Sequence, residues 1–254
     1  MTGTIFMVHG MWAGSWCWDK YKDFFGKKGY RCVTPTLPYH DVSPDGPPHP
    51  KVGTASLIDY ADFLEAEIKK LGEPPIIMGH SMGGLLTQIL AGRGLGKAGV
   101  LLTPAAPAGI IALAPSVVYS FSEGLLTWAF WRKPFKPSFK KTVYSVLHLT
   151  PVEDQKDYYK KMVYDSGRAT AEMGFWILDK NRAATVDESK IKIPLLIVSG
   201  GKDRITPAKV VRKVAEKYKA ASTYKEFEDH AHNVIGEPGW EDVAGYVYGW
   251  LKGI

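Results

Sequence analysis

The chain has 254 residues, of which 45% are hydrophobic and 23% are charged, and this balance predicts a globular protein with a substantial core. No apolar run is long enough to span a bilayer, and residues 1–8 lack the features of a secretory signal, so we expect a cytoplasmic chain. The net charge of +6 is scattered among acidic residues without a nucleic-acid-binding motif, which argues against a nucleic-acid partner.

The cysteines and histidines give no sign of a metal site. Cys17 and Cys32 form neither a metal-ligand spacing nor a disulfide framework. His230 and His232 are the closest pair of histidines, but no nearby cysteine or histidine completes a zinc-like set. We therefore expect no metal at the functional site.

Apolar runs and helical periodicity alternate along most of the chain. Short apolar runs predict strands at residues 4–8, 30–34, 75–78, 97–103, 193–199 and 223–228. Amphipathic patterns predict helices at residues 15–28, 54–71, 85–92, 206–219 and 240–251. This alternation predicts an α/β fold with a mostly parallel sheet and helices on both faces.

The alternation stops between residues 105 and 190. This interval has no clear strand, and its patterns predict helices at residues 111–131, 138–147, 154–164 and 169–178. We interpret residues 105–190 as an inserted helical cap over the carboxyl ends of the strands. Residues 1–104 and 191–254 then form the core domain.

A nucleophile motif lies between the third predicted strand and the following helix. Residues 79–83 read Gly-His-Ser-Met-Gly, which fits Gly-x-Ser-x-Gly. The strand-turn-helix setting is the one in which this motif holds a serine hydroxyl above a sheet. We therefore predict Ser81 as a nucleophile, and the amide of Met82 as a donor to a developing oxyanion.

A serine nucleophile needs a base, and the base needs an orienting acid. Asp203 follows the predicted strand at residues 193–199, and we expect Thr206 with Pro207 to cap the next helix, which leaves Asp203 free to act as that acid. Two histidines after the last strand, His230 and His232, are candidates for the base. The resulting chain order of serine, acid and histidine is the one expected when this motif opens a helix.

The first predicted strand ends at His9-Gly10-Met11-Trp12. A turn at this place can present the amide of Met11 as a second oxyanion donor. We expect the side chains of His9 and of His80, beside the predicted nucleophile, to be structural.

These motifs together resemble the α/β-hydrolase superfamily along the whole chain. The segment Val8-His9-Gly10-Met11-Trp12-Ala13-Gly14-Ser15-Trp16-Cys17-Trp18 is similar to the subgroup of plant methylesterases and hydroxynitrile lyases. The resemblance favours His232 over His230, because the spacing from His232 to Glu237-Pro238 and the terminal helix is typical of related enzymes. It implies an α/β-hydrolase fold with a Ser81–His232–Asp203 triad and no cofactor.

Two departures narrow the chemistry that the resemblance implies. The lyases of the subgroup carry a lysine near the catalytic histidine, whereas Asn233, Val234 and Ile235 follow His232 here. This counts against cyanohydrin cleavage. Ser81 also excludes the aspartate nucleophile of dehalogenases and epoxide hydrolases of this fold.

We expect a carboxylesterase that acts on small apolar or aryl esters, as a monomer or a homodimer. Acyl transfer, peroxyacid formation and C–C bond hydrolysis remain alternatives with the same triad, as does a ligand-binding receptor that retains the pocket. An apolar cluster in the cap suggests an apolar substrate, and we expect Trp12, Tyr119 and Trp128 to contact it. The cluster comprises Val117, Val118, Tyr119, Phe121, Leu125, Trp128, Phe130 and Trp131.

Overall fold

The computed structural model describes residues 2–254, so Met1, the first residue of the predicted core domain, lies outside the described residues. The strands are β1 (Thr4–Val8), β2 (Arg31–Val33), β3 (Ile76–His80), β4 (Ala98–Leu102), β5 (Pro134–Phe135), β6 (Asp165–Ser166), β7 (Leu195–Gly200) and β8 (Ser222–Phe227). The α-helices are α1 (Asp19–Lys27), α2 (Leu57–Lys69), α3 (Met82–Gly92), α4 (Pro115–Leu125), α5 (Phe139–Ser145), α6 (Val152–Lys161), α7 (Gly167–Gly174), α8 (Ala208–Lys217) and α9 (Trp240–Leu251).

Six strands form one parallel sheet in the order β2-β1-β3-β4-β7-β8. Alternate residues of each strand enter different cores: Phe6 and Val8 pack with α2, α3 and α8, whereas Ile5 and Met7 pack with α1 and α9. Helices therefore cover both faces, which confirms the predicted α/β-hydrolase fold. Because all six strands run the same way, the segments that follow them meet at one edge of the sheet.

The sequence predicted the elements of residues 1–104 and 191–254 more accurately than those of residues 105–190, to which the name cap refers below. The predicted helix at residues 111–131 is wrong in length, because α4 spans only Pro115–Leu125 and Ala129 has a left-handed backbone with φ of 55°. The expectation that the cap has no strand is also wrong, since β5 and β6 form a two-residue antiparallel pair. Pairs this short leave no periodicity to detect in the sequence.

Candidate active site

Ser81 lies on a strained turn between β3 and α3. Its backbone has φ of 56° and ψ of −119°, a conformation that is costly for a residue with a side chain. Two close backbone approaches explain the flanking glycines: a Cβ at Gly79 would lie 2.1 Å from the oxygen of Gly83, and a Cβ at Gly83 would lie 2.1 Å from the oxygen of Val8. The motif thus folds into a turn that only glycine permits on either side of the serine.

Ser81, His232 and Asp203 form a continuous series of hydrogen bonds. The Nε2 atom of His232 lies 3.0 Å from Ser81 Oγ, and its Nδ1 atom lies 2.8 Å from Asp203 Oδ2. All three residues are buried, and they come from the ends of β3, β7 and β8. The structure therefore brings together the three residues that the sequence singled out.

Asp203 accepts more hydrogen bonds than a triad alone requires. Its Oδ1 atom accepts from the backbone N–H groups of Ile205 (2.7 Å) and Thr206 (2.9 Å), and the Thr206 hydroxyl lies 2.7 Å from Oδ2. Burial alone would raise the pKa of Asp203, but His232 and the Thr206 hydrogen bonds offset burial and hold the pKa below its usual value. The carboxyl group is therefore held as a carboxylate.

Thr206 does not cap α8, contrary to our expectation. The N-cap residue is Pro207, and the Thr206 hydroxyl instead lies between Asp203 Oδ2 and the carbonyl oxygen of Thr103, 3.0 Å away. Asp203 itself accepts the loop amides, and Thr206 connects it to the end of β4.

His230 is directed away from Ser81. Its Nδ1 atom lies 3.0 Å from Glu237 Oε1, which also accepts the N–H of Ala231 at 2.7 Å. The Glu237 carboxylate therefore fixes the loop that carries both histidines, and only His232 reaches the serine.

His80 and His9 are buried behind the triad. Burial and a neighbouring histidine lower the pKa of each to about 3, so both rings are neutral. His80 Nε2–H donates to the carbonyl of His232 at 2.8 Å, and His9 Nε2 accepts the N–H of Leu37 at 3.0 Å. Both side chains thus brace backbone segments next to the site.

The two predicted oxyanion donors lie beside Ser81. Met11 and Met82 line the same pocket as the serine, and Met82 begins α3, where the first N–H groups have no intrahelical acceptor. Gly10 allows the close approach of the first loop, because a Cβ there would lie 2.8 Å from Ser81 Cβ. This packing sets the Met11 turn against the serine.

Sequence reasoning missed a buried carboxylate that ties the cap to this turn. Asp165, in β6 of the cap, accepts the N–H of Trp12 and the Nε2–H of His40, each at 2.9 Å, on Oδ2. Its Oδ1 atom accepts the N–H of Ser166. Trp12 has a positive φ of 63°, so this hydrogen bond holds a strained residue next to Met11.

Asp165 and His40 form a buried ion pair. Burial alone would lower the pKa of His40, but Asp165 and hydrogen bonds to Asp165 and the Pro38 carbonyl raise it above its ordinary value. Burial alone would raise the pKa of Asp165, yet His40 and the amides of Ser166 and Trp12 lower it. Both pKa shifts favour the charged forms of the pair. Sequence periodicity could not have predicted this pair, because His40 and Asp165 are 125 residues apart.

Two pockets open on either side of Ser81. The larger has an empty volume of about 840 Å³ and is lined almost entirely by apolar side chains of the cap and core, including Phe121 and Met173. The smaller has an empty volume of about 400 Å³ and contains His232, Trp12 and Tyr158 in its wall. The apolar lining of the larger pocket is typical of sites that bind small organic ligands.

The structure does not place all three predicted substrate-contacting aromatics in these pockets. Trp12 lines the smaller pocket, and its indole N–H donates to the carbonyl of Phe135 at 3.0 Å. Tyr119 and Trp128 line neither pocket: Lys141 covers the Tyr119 ring, and Trp128 is 84% exposed and contacts Trp131. The structure thus places neither ring in the wall of a pocket beside Ser81, and Trp128 lies outside because α4 ends at Leu125.

Within residues 2–254, no group of three or more histidine, cysteine, aspartate or glutamate side chains is arranged to hold a metal ion. In the same part of the chain, no helix has the length and apolar character needed to cross a membrane.

Comparison with known proteins identifies the family. The model of the alpha/beta hydrolase family matches residues 5–245, so the chain belongs to this family. No curated protein sequence matches the chain significantly.

Solved structures share the fold over nearly the full chain. A methylesterase from Arabidopsis has 15% identity and a TM-score of 0.72, with 99% of each chain covered. A monoacylglycerol lipase from Paleococcus ferrophilus has 24% identity and a TM-score of 0.69, covering 98% of this chain and 93% of the other. A pyrethroid hydrolase from Sphingobium faniae has 17% identity and a TM-score of 0.73, covering 98% and 97%. At these identities the likeness concerns the fold.

Proposed function

We propose that the protein is a carboxylic ester hydrolase in which Ser81 is the nucleophile, His232 the general base and Asp203 the orienting acid. The observation that carries the proposal is the unbroken hydrogen-bond series from Ser81 Oγ through His232 to Asp203 Oδ2, at the floor of an apolar pocket. Solved structures of the same fold include a methylesterase, a monoacylglycerol lipase and a pyrethroid hydrolase, which favours ester substrates.

The proposed reaction has two halves. Ser81 Oγ attacks the ester carbonyl carbon while His232 Nε2 takes the hydroxyl proton, and the N–H groups of Met11 and Met82 bind the oxyanion. His232 then gives the proton to the departing alkoxide, which leaves as the alcohol. Water attacks the acyl-enzyme, His232 takes its proton and returns it to Ser81, and the carboxylic acid leaves.

The two pockets suggest how the ester is oriented. His232 must protonate the leaving oxygen, so the alcohol part lies in the smaller pocket, whose wall contains His232. The acyl part then lies in the larger pocket, beyond Met82. The preferred substrate is thus an ester of a bulky apolar acid with a small alcohol.

A matched ester series tests the proposal. With methyl esters of linear acids, we expect kcat/KM to rise about three- to fourfold for each added methylene until the larger pocket is full. With one fixed acid, lengthening the alcohol from methyl to octyl is expected to lower kcat/KM. The reverse preference would contradict the proposed orientation.

The same assay tests the nucleophile. We expect Ser81→Ala to lose at least about a thousandfold in kcat while still binding the substrate. No turnover by the wild type of any short, medium or aryl ester would contradict ester hydrolysis and favour a binding function. Undiminished turnover in the variant would contradict Ser81 as nucleophile.

A further inference from the structure

A groove on the outer face of the cap exposes large apolar side chains. Phe130, Trp131, Phe175 and Leu178 line it, and Trp128 contacts Trp131 at its edge. Leu178 is 78% exposed, and the rings of Phe130 and Phe175 lie 6.0 Å apart. We call these five residues the cap groove. A contiguous exposed apolar patch of this kind marks an interaction surface more often than chance.

The fully exposed charges that flank the cap groove are positive. Arg132 and Lys133 directly follow Trp131, and Lys180 lines the groove. Two acidic residues also line the groove: Glu172 is 2% exposed and accepts the N–H of Leu57, and the half-buried Asp179 accepts the N–H groups of Asn181 and Ala183. The exposed groups therefore complement a negatively charged partner.

The cap groove and the larger pocket beside Ser81 share one wall residue. Phe175 lines both, and the exposed side chains of Leu113 and Val118 lie in the wall of the same pocket. The two apolar surfaces are thus adjacent at Phe175.

We propose that the cap groove docks the protein onto an anionic lipid bilayer surface. Tryptophan is enriched at the boundary between lipid and water, and exposed basic residues gain affinity from anionic headgroups. Interfacial helices likewise combine apolar side chains, which enter the bilayer, with basic side chains, which contact anionic headgroups. The delivery of apolar esters from the bilayer into the larger pocket rests on the proposed function, whereas docking itself does not.

Vesicle flotation with the full chain tests docking. We expect the wild type to float with vesicles of phosphatidylcholine and phosphatidylglycerol, and to bind pure phosphatidylcholine vesicles at least about tenfold more weakly. Raising the NaCl concentration to about 0.5 M is expected to reduce binding to the anionic vesicles, because salt screens surface charges.

Matched variants separate docking from general surface effects. Leu178→Ser is expected to lower the partition constant about fivefold, while Val152→Ser, which removes an equally exposed (78%) aliphatic side chain from α6, leaves it unchanged. Lys180→Glu is expected to weaken binding to anionic vesicles, and Lys27→Glu on α1 is not. Circular dichroism melting confirms that each variant is folded.

Three results would overturn docking. In the first, the wild type stays in the unbound fraction. In the second, Leu178→Ser binds vesicles as tightly as Val152→Ser does. In the third, the wild type binds no vesicles and sediments as a dimer, which the substitution Trp131→Ser dissociates. The last would assign the cap groove to a second copy of the chain.

Failure of docking and failure of the proposed function are distinguishable. Ser81→Ala is expected to float with vesicles like the wild type, and Leu178→Ser to hydrolyse a water-soluble ester at the wild-type rate. Turnover without flotation would refute docking alone, and flotation without turnover would refute the proposed function alone.

Discussion

Replacement of Asp165 by asparagine tests whether the cap positions the proposed oxyanion donor. In the wild type, Oδ2 of Asp165 accepts from both Trp12 N–H and His40 Nε2–H, and its side chain is fully buried. An asparagine supplies one oxygen, and Ser166 N–H already occupies Oδ1. An amide NH₂ in place of Oδ2 can donate to neutral His40, but it leaves Trp12 N–H without an acceptor.

The magnitude follows from the groups left unpaired. A buried backbone N–H without an acceptor costs about 1–3 kcal/mol, and breaking a buried ion pair costs about 3–5 kcal/mol. We therefore expect Asp165→Asn to lower the free energy of unfolding by roughly 3 kcal/mol or more. Since Met11 precedes Trp12, a displaced turn also weakens the oxyanion contact, which we expect to lower kcat about 10- to 100-fold with KM nearly unchanged.

Glu172→Gln is the matched control. Glu172 is also a buried carboxylate of the cap, and it accepts from Ser56 Oγ and Leu57 N–H on the core without touching the Met11 turn. We expect it to lower stability while kcat stays within about twofold of the wild type. Steady-state kinetics and urea unfolding of both variants measure the two effects. Equal losses of kcat in the two variants, or full kcat in Asp165→Asn, would refute the positioning role.

Three further predictions concern the triad and the buried ion pair. His232→Ala is expected to lower kcat/KM at least about a thousandfold and His230→Ala less than about tenfold; the opposite ranking in ester assays would make His230 the base. Thr206→Val removes the hydroxyl beside Asp203 and is expected to lower kcat about tenfold with KM unchanged; wild-type kcat would contradict this. The pKa of His40 is raised in the folded protein. Its positive charge therefore stabilises the fold fully at pH values below 6.5, the ordinary histidine pKa, and this stabilisation is lost as the pH rises through the raised pKa. The lowered pKa of Asp165 likewise means that its contribution is present above 3.8 and lost at lower pH. Unfolding at about pH 5, 7 and 9 should therefore show the largest cost of His40→Gln at pH 5, and a cost independent of pH would contradict the ion pair.

The sequence determined the core because its signals are local. Apolar runs gave the strands, the two glycines around Ser81 marked a turn that excludes side chains, and chain order paired the serine with Asp203 and a later histidine. A strand or a tight turn depends on residues close in sequence, so short patterns are enough to predict it.

Only the tertiary structure decided how the cap meets the site. Asp165 lies 153 residues from Trp12, yet its carboxylate fixes the turn that follows β1. Trp128 was expected at the substrate and lies on the outer surface instead, because α4 ends early. Contacts between buried polar groups that are distant in the chain produce no periodic pattern in the sequence. The direction of an aromatic side chain depends on where the preceding helix ends.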